Sequence, residues 1–198
     1  MKKTICILLA AALSLGLAGC AAGLPPEKAV DGSSWDESWV TVGNAIGADT
    51  PEGMVSRENN EALAVGGMYY ATWSMGESEP YTNEDGEEAE LYDAQVYFLL
   101  GGHKSAQEAG DTLAQWMDLA RRQYSIDETM EESHNGQDFT VITYSFDSGA
   151  NPYARGASAF GTYRSYAVSV ELTCRENIDG DAARLLALFL DNCHYAAP

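Results

Sequence analysis

The chain has 198 residues, of which 30 are aspartate or glutamate and 11 are lysine or arginine, so its formal net charge is −19 at pH 7. No basic cluster is larger than Arg121-Arg122, and a surface this acidic repels polyanions. Nucleic-acid binding is therefore excluded as a function class.

The first 20 residues carry a sorting signal. Lys2 and Lys3 precede an apolar run at residues 5–17, which is typical of a secretory signal and is shorter than the ~20 apolar residues of a spanning helix. The run leads into Leu17-Ala18-Gly19-Cys20, which resembles the lipobox of bacterial lipoproteins. This resemblance implies that residues 1–19 are a cleaved signal peptide and that Cys20 is lipidated. The alternatives are an ordinary signal peptide with an incidental cysteine and a cytosolic chain with an apolar start.

Lipidation would anchor the protein to the extracytoplasmic face of the cell membrane, with membrane lipid as its first partner. Two or three acyl chains hold a protein stably, at ~0.8 kcal/mol per buried methylene, whereas one chain binds marginally. Without the two signal lysines, the mature chain keeps nine basic residues against thirty carboxylates, a formal balance of −21. An anionic leaflet repels such a domain, so attachment should depend on the lipid.

A polar linker follows the anchor. Residues 20–37 include Pro25-Pro26 and Gly32-Ser33-Ser34, which predicts a flexible coil with a span on the order of 20 Å. Residues 38–198 have the right size for a single globular domain with its own core.

Six strands are predicted within the domain. They are rich in β-branched and aromatic residues, are bounded by turn residues, and cover residues 40–46, 62–75, 94–100, 139–146, 157–163 and 166–174. Along the last strand, apolar residues alternate with Ser169, Glu171 and Thr173, so one face should be apolar and the other mostly polar. Arg164 and Ser165 should form the turn of a final hairpin.

Two helices are predicted. The first begins with the capping box Ser105-Ala106-Gln107-Glu108, and an apolar face with helical spacing follows it as far as Tyr124. The second runs from about Asp181 to Cys193, with an acidic residue near its positive end. Its expected inward residues are Ala182, Leu185, Leu186, Phe189 and Cys193.

This order of elements predicts an α+β fold, an antiparallel sheet of about six strands with two main helices packed on it. It resembles the PsbP-like or Mog1-like domain, a sandwich found in several bacterial lipoproteins. The resemblance is carried by the early strand at 39–46, the helix capped by Ser105, the hairpin at Arg164 and the helix ending near Cys193. It implies a binding or assembly module and identifies no partner, because a fold alone does not determine function.

Two segments look like ligand sites and fail on spacing. Lys104-Ser105 lies between a strand and a helix, but His103 stands where a phosphate-binding loop needs glycine; a weak anion site at the helix end stays open.

Residues 77–90 contain seven carboxylates and no basic residue. Aligning Gly86 with the invariant glycine of an EF-hand puts tyrosines at both essential ligand positions. We interpret this segment as a solvated loop and keep weak calcium binding as a hypothesis.

The sequence assigns no metal, cofactor or catalytic residue. His103, His134 and His194 lack zinc-ligand spacing. Ser158 resembles a nucleophile elbow only superficially, since a glycine should fall two residues after the serine and a helix should follow. A hydrolase that uses Ser158 is therefore a minority hypothesis.

Aromatic residues are dense at positions 68–73. Strand alternation places Tyr69, Ala71 and Trp73 on one face and Tyr70 and Thr72 on the other. Core packing accounts for such a division, whereas an exposed set would form a surface for a glycan or peptide.

Cys174 and Cys193 remain in the predicted domain, and disulfides persist in extracytoplasmic compartments. If the final helix runs straight back along its strand, twelve helical residues carry Cys193 roughly 18 Å away, whereas a bridge needs α-carbons within about 7 Å. A bridge would imply that the helix crosses the sheet obliquely. Both a disulfide and two free thiols stay open.

We therefore expect a membrane-anchored extracytoplasmic lipoprotein that acts as a non-catalytic binding or assembly module, with a protein partner in the cell envelope. Small-molecule or glycan binding by a sheet face is the alternative, and a hydrolase comes last.

Overall fold

The computed structural model describes residues 40–42, 46–60, 67–82, 86, 88–146, 151–176, 178 and 181–195. The predicted signal peptide, Cys20 and the predicted linker lie outside these described residues. The described part contains twelve strands and two helices, and neither helix is both long and apolar enough to cross a membrane.

The elements follow one another along the chain with short connections. They are β1 (Val40–Val42), β2 (Ile46–Ala48), β3 (Met54–Asn60), β4 (Met68–Met75), β5 (Glu79–Thr82), β6 (Glu88–Leu91), β7 (Ala94–Gly102), α1 (Ala106–Gln123), β8 (Ser125–His134), β9 (Gln137–Ser145), β10 (Arg155–Tyr163), β11 (Tyr166–Cys174), α2 (Ala182–Asp191) and β12 (Cys193–Tyr195).

Seven strands form one antiparallel sheet in the order β3-β4-β7-β11-β10-β9-β8. The predicted α+β class is confirmed, with one sheet strand more than expected. Five of the six predicted strands lie in this sheet; for the strand predicted at 62–75 the structure shows β4 from Met68, and residues 62–66 lie outside the described residues. The predicted strand at 40–46 was wrong, because β1 and β2 pair antiparallel in a small sheet with β12. The edge strands β3 and β8 were missed.

The seven-stranded sheet has two different faces. The first, which we call the apolar face, is covered by α2, whose Phe189 packs edge-on to Trp73 with ring centroids 4.8 Å apart. The second, which we call the mixed face, is covered in part by α1, whose Trp116 packs with Leu99 and Phe160. Strand alternation thus gives each helix its own side of the sheet.

The N-terminus of α1 is capped as the sequence predicts, with one difference. Ser105 Oγ accepts a hydrogen bond from the Glu108 amide at 3.2 Å. The Glu108 carboxylate, however, accepts from the amide of Lys104 at 3.1 Å and not from that of Ser105. Two amides at the helix start are therefore satisfied within the chain.

The second helix ends earlier than predicted. Asp181 caps α2 by accepting from the Ala183 amide at 2.9 Å, and the helix stops at Asp191 because the chain turns into β12. The β8–β9 turn holds this end: His134 Nδ1 lies 2.7 Å from Asp191 Oδ1. In the same turn, the side-chain Nδ2 of Asn135 donates to the backbone carbonyls of Asp191 at 2.9 Å and Cys193 at 2.7 Å.

Cys174 and Cys193 are buried free thiols, so the disulfide left open by the sequence is not formed. Burial raises the pKa of the Cys174 thiol, with Arg155 acting in the opposite direction and Asp181 adding a smaller increase. Burial likewise raises the pKa of Cys193, with Asp49 and Asp191 contributing. Cys174 is the last residue of β11, before α2, and Cys193 is the first residue of β12, after it.

The sequence predicts a solvated loop at 77–90, but the structure contains a β-hairpin within this acidic segment. β5 and β6 pair antiparallel within it, in register from Glu79 with Leu91 to Thr82 with Glu88. Arg175 ties the hairpin to the domain through an ion pair with Glu79 at 3.0 Å. Residues 83–85, where the calcium hypothesis is centred, lie outside the described residues.

Candidate ligand-binding site

A cavity of about 530 Å³ opens on the mixed face, beyond the area that α1 covers. This volume is within the range of small-molecule sites. Its lining is mostly polar and consists of Arg57, Glu58, Thr72, Trp73, Glu90, Tyr92, Gln95, Val96, Tyr97, Glu171 and Thr173.

The register of the sheet brings the floor of the cavity together. Thr72 pairs with Tyr97 across β4 and β7, and Tyr97 pairs with Glu171 across β7 and β11. In the neighbouring row, Gln95 pairs with Thr173. Facing residues on adjacent antiparallel strands lie about 5 Å apart, so three neighbouring strands assemble this floor without a loop.

A bulge in the edge strand β3 supplies the cation at the rim. The register with β4 shifts between Ser56 and Glu58, which leaves Arg57 as the extra residue. Its Nε donates to Ser74 Oγ at 2.6 Å, and its guanidinium carbon lies 4.7 Å from the centroid of the Tyr92 ring. Bulges redirect side chains in this way, and here the bulge turns Arg57 toward the cavity.

Glu171 is the most unusual residue of the cavity, because it carries an ionisable carboxyl group and is only 5% exposed. Tyr144 and Tyr124 both donate to Oε1, at 2.6 and 2.7 Å. Burial raises the pKa of Glu171, while these two hydrogen bonds act in the opposite direction. No cation among the described residues forms an ion pair with Glu171, so hydroxyl groups alone stabilise the carboxylate.

The two tyrosines are themselves held tightly. Their rings stack with centroids 3.9 Å apart and planes inclined by 5°, and the Tyr144 hydroxyl also lies 3.1 Å from Ser158 Oγ. The Tyr144 ring lies directly over Gly156, where a β-carbon would overlap it. A glycine is therefore required at this position, and it fixes the hydroxyl that binds Glu171.

Our sequence prediction placed Glu171 on a mostly polar face and did not identify it as a site residue. The alternation along β11 is confirmed, but all nine residues of this strand are buried, because β11 is the central strand of the seven. The signal was present in the sequence: Glu171 is the one charged side chain in a strand of otherwise apolar or small hydroxyl residues.

The apparent phosphate loop does not form a site. Gly101 and Gly102 belong to β7, and the amides of Lys104 and Glu108 are already bonded within the cap. The Glu108 carboxylate also occupies the position that an anion would need, so the geometry does not favour the weak anion site. His103 is buried behind it, and burial lowers its pKa.

Ser158 and the histidines are not brought together. Ser158 lies in the middle of β10, 2% exposed, and bonds to Tyr144. His134 binds Glu132 and Asp191, while His194 lies 2.8 Å from Asp49. The strand–turn–helix of a nucleophile elbow is absent at Ser158, and the described residues contain no group of three or more metal-ligating side chains.

The aromatic residues at 68–73 divide between the two faces as predicted. Trp73 packs in the core of the apolar face, and Tyr70 stacks on Tyr97 on the mixed face with centroids 5.6 Å apart. Of the large hydrophobic residues that the structure describes, the exposed ones are Val55 and Leu188, neither of them aromatic. The aromatic rings therefore contribute to the core and the cavity, and not to an exposed platform.

No protein-family model and no curated protein matches the chain. Among solved structures, it is similar to a protein of Bacteroides thetaiotaomicron, with a TM-score of 0.51 and 9% identity over 80% of this chain and 47% of that one. The chain thus spans about half the length of that protein. The likeness, at this identity, extends to the fold alone.

Two further solved structures are similar over different shares of the chain. Cyanobacterial PsbP from Synechocystis has a TM-score of 0.46 and 12% identity, covering 91% of this chain and 99% of that one. The extracellular domain of PknH from Mycobacterium tuberculosis has a TM-score of 0.34 and 12% identity, covering 63% of this chain and 62% of that one.

Proposed function

We propose that the protein is a lipid-anchored, extracytoplasmic binding module and that its ligand occupies the cavity on the mixed face. The cavity carries this proposal, because it combines a ligand-sized volume with a polar floor assembled on rigid strands. Sites on a scaffold of paired strands are held more precisely than sites on loops. The PsbP-like resemblance belongs to the same proposal and is supported by the order of elements.

Binding is favoured over the hydrolase that the sequence suggested at Ser158. Ser158 is 2% exposed, bonds to Tyr144 and does not line the cavity. The Tyr144 and Tyr124 hydroxyls that touch Glu171 both donate to it, an arrangement that positions a carboxylate. The proposed role of this carboxylate is to receive a ligand.

A thermal-shift screen of the full-length lipidated protein in non-ionic detergent tests the site. The screen contains neutral sugars, amino sugars, amino acids, carboxylates and phosphates. At least one class should raise the melting temperature of the wild type and leave Gln95→Trp, whose larger side chain fills the cavity, unchanged. Gln107→Trp, on the exposed surface of α1, should respond as the wild type does. If no class stabilises the wild type, or if Gln95→Trp responds equally, the cavity is not the site.

The proposed anchor is tested separately by cell fractionation. Wild-type protein should pellet with membranes and be released by detergent, and Cys20→Ala should lose the acyl chains that metabolic labelling with palmitate detects. Membrane attachment and labelling that persist in Cys20→Ala would contradict the lipoprotein assignment.

The expected protein partner of the cell envelope stays a prediction. Crosslinking in intact cells, followed by affinity purification of the lipidated protein, should recover the same partner repeatedly. The partner should be lost in Cys20→Ala if binding depends on anchoring. Loss in Gln95→Trp as well would indicate that the partner inserts a side chain or terminus into the cavity.

A further inference from the structure

We infer that the cavity selects a small, hydroxylated ligand bearing a primary ammonium group, with the ammonium seated on Glu171. This inference rests on the proposed function, since it names the ligand class of the same cavity. It follows from three features of the site: the unsatisfied side of a buried carboxylate, the polar floor around it, and the balance of charge at the rim.

Of the two carboxylate oxygens of Glu171, Oε1 is the one that accepts hydrogen bonds from described residues. Both tyrosine hydroxyls donate to Oε1, and no described residue donates a hydrogen bond to Oε2. Glu171 lines the cavity, so the lone pairs of Oε2 are the ones that a ligand can reach. A buried carboxylate without a cation is costly, and a charge-assisted hydrogen bond from an ammonium group offsets that cost.

The floor around Glu171 suits a hydroxylated body. Thr72, Thr173 and Tyr97 contribute hydroxyl groups and Gln95 an amide, which together offer both donors and acceptors. Burial raises the pKa of Tyr97, so its hydroxyl keeps its proton and can donate. The Tyr97 ring adds an apolar wall, because it is stacked against Tyr70.

The rim disfavours an anion. Arg57 is the one cationic side chain of the described lining, against the three carboxylates of Glu58, Glu90 and Glu171. Its Nε is already bonded to Ser74, so it is held at the edge of the cavity. The excess of carboxylates repels anionic ligands, and the negative charge of the whole chain steers cations toward the protein.

The test compares glucosamine with glucose, which differ by an ammonium group in place of one hydroxyl. Each is titrated at pH 6.5 into the full-length lipidated protein, and binding is followed by isothermal titration calorimetry. Glucosamine should bind the wild type at least tenfold more tightly than glucose. Glu171→Gln should remove that preference, whereas Glu131→Gln, an exposed carboxylate on β8, should keep it.

Glu171→Gln preserves an oxygen that accepts from both tyrosines, so its melting temperature reports whether the fold is intact. Equal affinity for the two sugars in the wild type, or a preference that survives in a folded Glu171→Gln, would overturn the ammonium assignment. If neutral sugars or anions bind and are lost in Gln95→Trp, the cavity is still the site and this inference alone fails. If no ligand of any class binds, both fail.

Discussion

The two faces of the seven-stranded sheet differ in what they bury. The apolar face is covered by α2, and Trp73, Phe98 and Phe189 meet there in a hydrophobic core. The mixed face is covered by α1 at one end and left open at the other, where Glu171 and Tyr97 form a polar floor.

This difference separates stability from function within one sheet. Burial of apolar area stabilises the fold at roughly 25 cal/mol per Å², and the larger of the two hydrophobic clusters lies on the apolar face. A buried carboxylate opposes folding unless it is compensated. The buried carboxylate of Glu171 at the centre of the sheet therefore lowers stability at the position where a ligand is proposed to bind.

The largest expected effect is on the apolar face. Phe189→Ala removes the ring that packs against Trp73 and Phe98, and we expect it to lower the free energy of unfolding by about 3–5 kcal/mol. Leu188→Ala, one residue earlier and 48% exposed, should change it by less than about 0.5 kcal/mol. Urea denaturation of both variants measures the difference. Similar losses would mean that α2 is not seated as described.

A smaller loss is expected where the mixed face is most crowded. Gly156→Ala forces a β-carbon against the Tyr144 ring, so it should destabilise the fold by about 1–3 kcal/mol and displace the hydroxyl that holds Glu171. The affinity for glucosamine should fall with it. Gly110→Ala, in α1 with open space around it, should instead be neutral or stabilising by up to about 1 kcal/mol. Unchanged stability of Gly156→Ala would contradict the close contact with Tyr144.

Glu171→Gln should stabilise the protein at neutral pH while abolishing the preference for glucosamine. A carboxyl group whose folded pKa is raised by burial contributes stability below its unfolded pKa of about 4.3 and loses it as the pH rises through the folded pKa. At pH 7 the variant should therefore melt about 2–4 °C higher than the wild type, which corresponds to a gain of order 1 kcal/mol in the free energy of unfolding. At pH 4 the two proteins should melt at the same temperature. A lower melting temperature at pH 7 would show that charged Glu171 supports the fold.

The smallest expected effect concerns His134, which binds Asp191 at the C-terminal end of α2. Burial lowers the pKa of His134, but the carboxylates of Asp191 and Glu132, 2.7 and 2.9 Å away, raise it overall. Its stabilisation is thus present below the unfolded pKa of about 6.5 and is lost as the pH rises through the folded pKa. His134→Gln should cost less than about 1 kcal/mol at pH 5.5, because Asp191 is 63% exposed, and less still at pH 8.5. If the loss of unfolding free energy in His134→Gln is the same at both pH values, the ion pairs of His134 do not contribute to stability.

Local patterns in the sequence predicted the central strands and both helices. β7, β9, β10 and β11 are rich in β-branched and aromatic residues, and the cap at Ser105 marks the start of α1. The edge strands were missed because their sequences are polar: β8 contains four carboxylates. Such strands are recognised by the ladder that they form with a neighbour and not by hydrophobic period.

The candidate site could be predicted only in part. Alternation placed Glu171 opposite the apolar residues of β11, but its burial depends on Tyr124 from the end of α1 and Tyr144 from β9, which are 47 and 27 residues away in the chain. Arg57 enters the cavity through a bulge, which the sequence of β3 does not signal. Contacts between residues so far apart in the chain depend on the order of strands in the sheet. The residue pattern within a single strand does not reveal that order.

The most direct test of the account is the titration of Glu171 itself by carboxyl ¹³C NMR, with Glu171→Gln used to assign its resonance. We expect this carboxyl group to titrate above its ordinary pKa in the free protein, because burial raises the pKa. Saturating glucosamine should lower that pKa, because an ammonium group stabilises the charged form. A Glu171 resonance that titrates at or below the ordinary value and does not respond to glucosamine would contradict it.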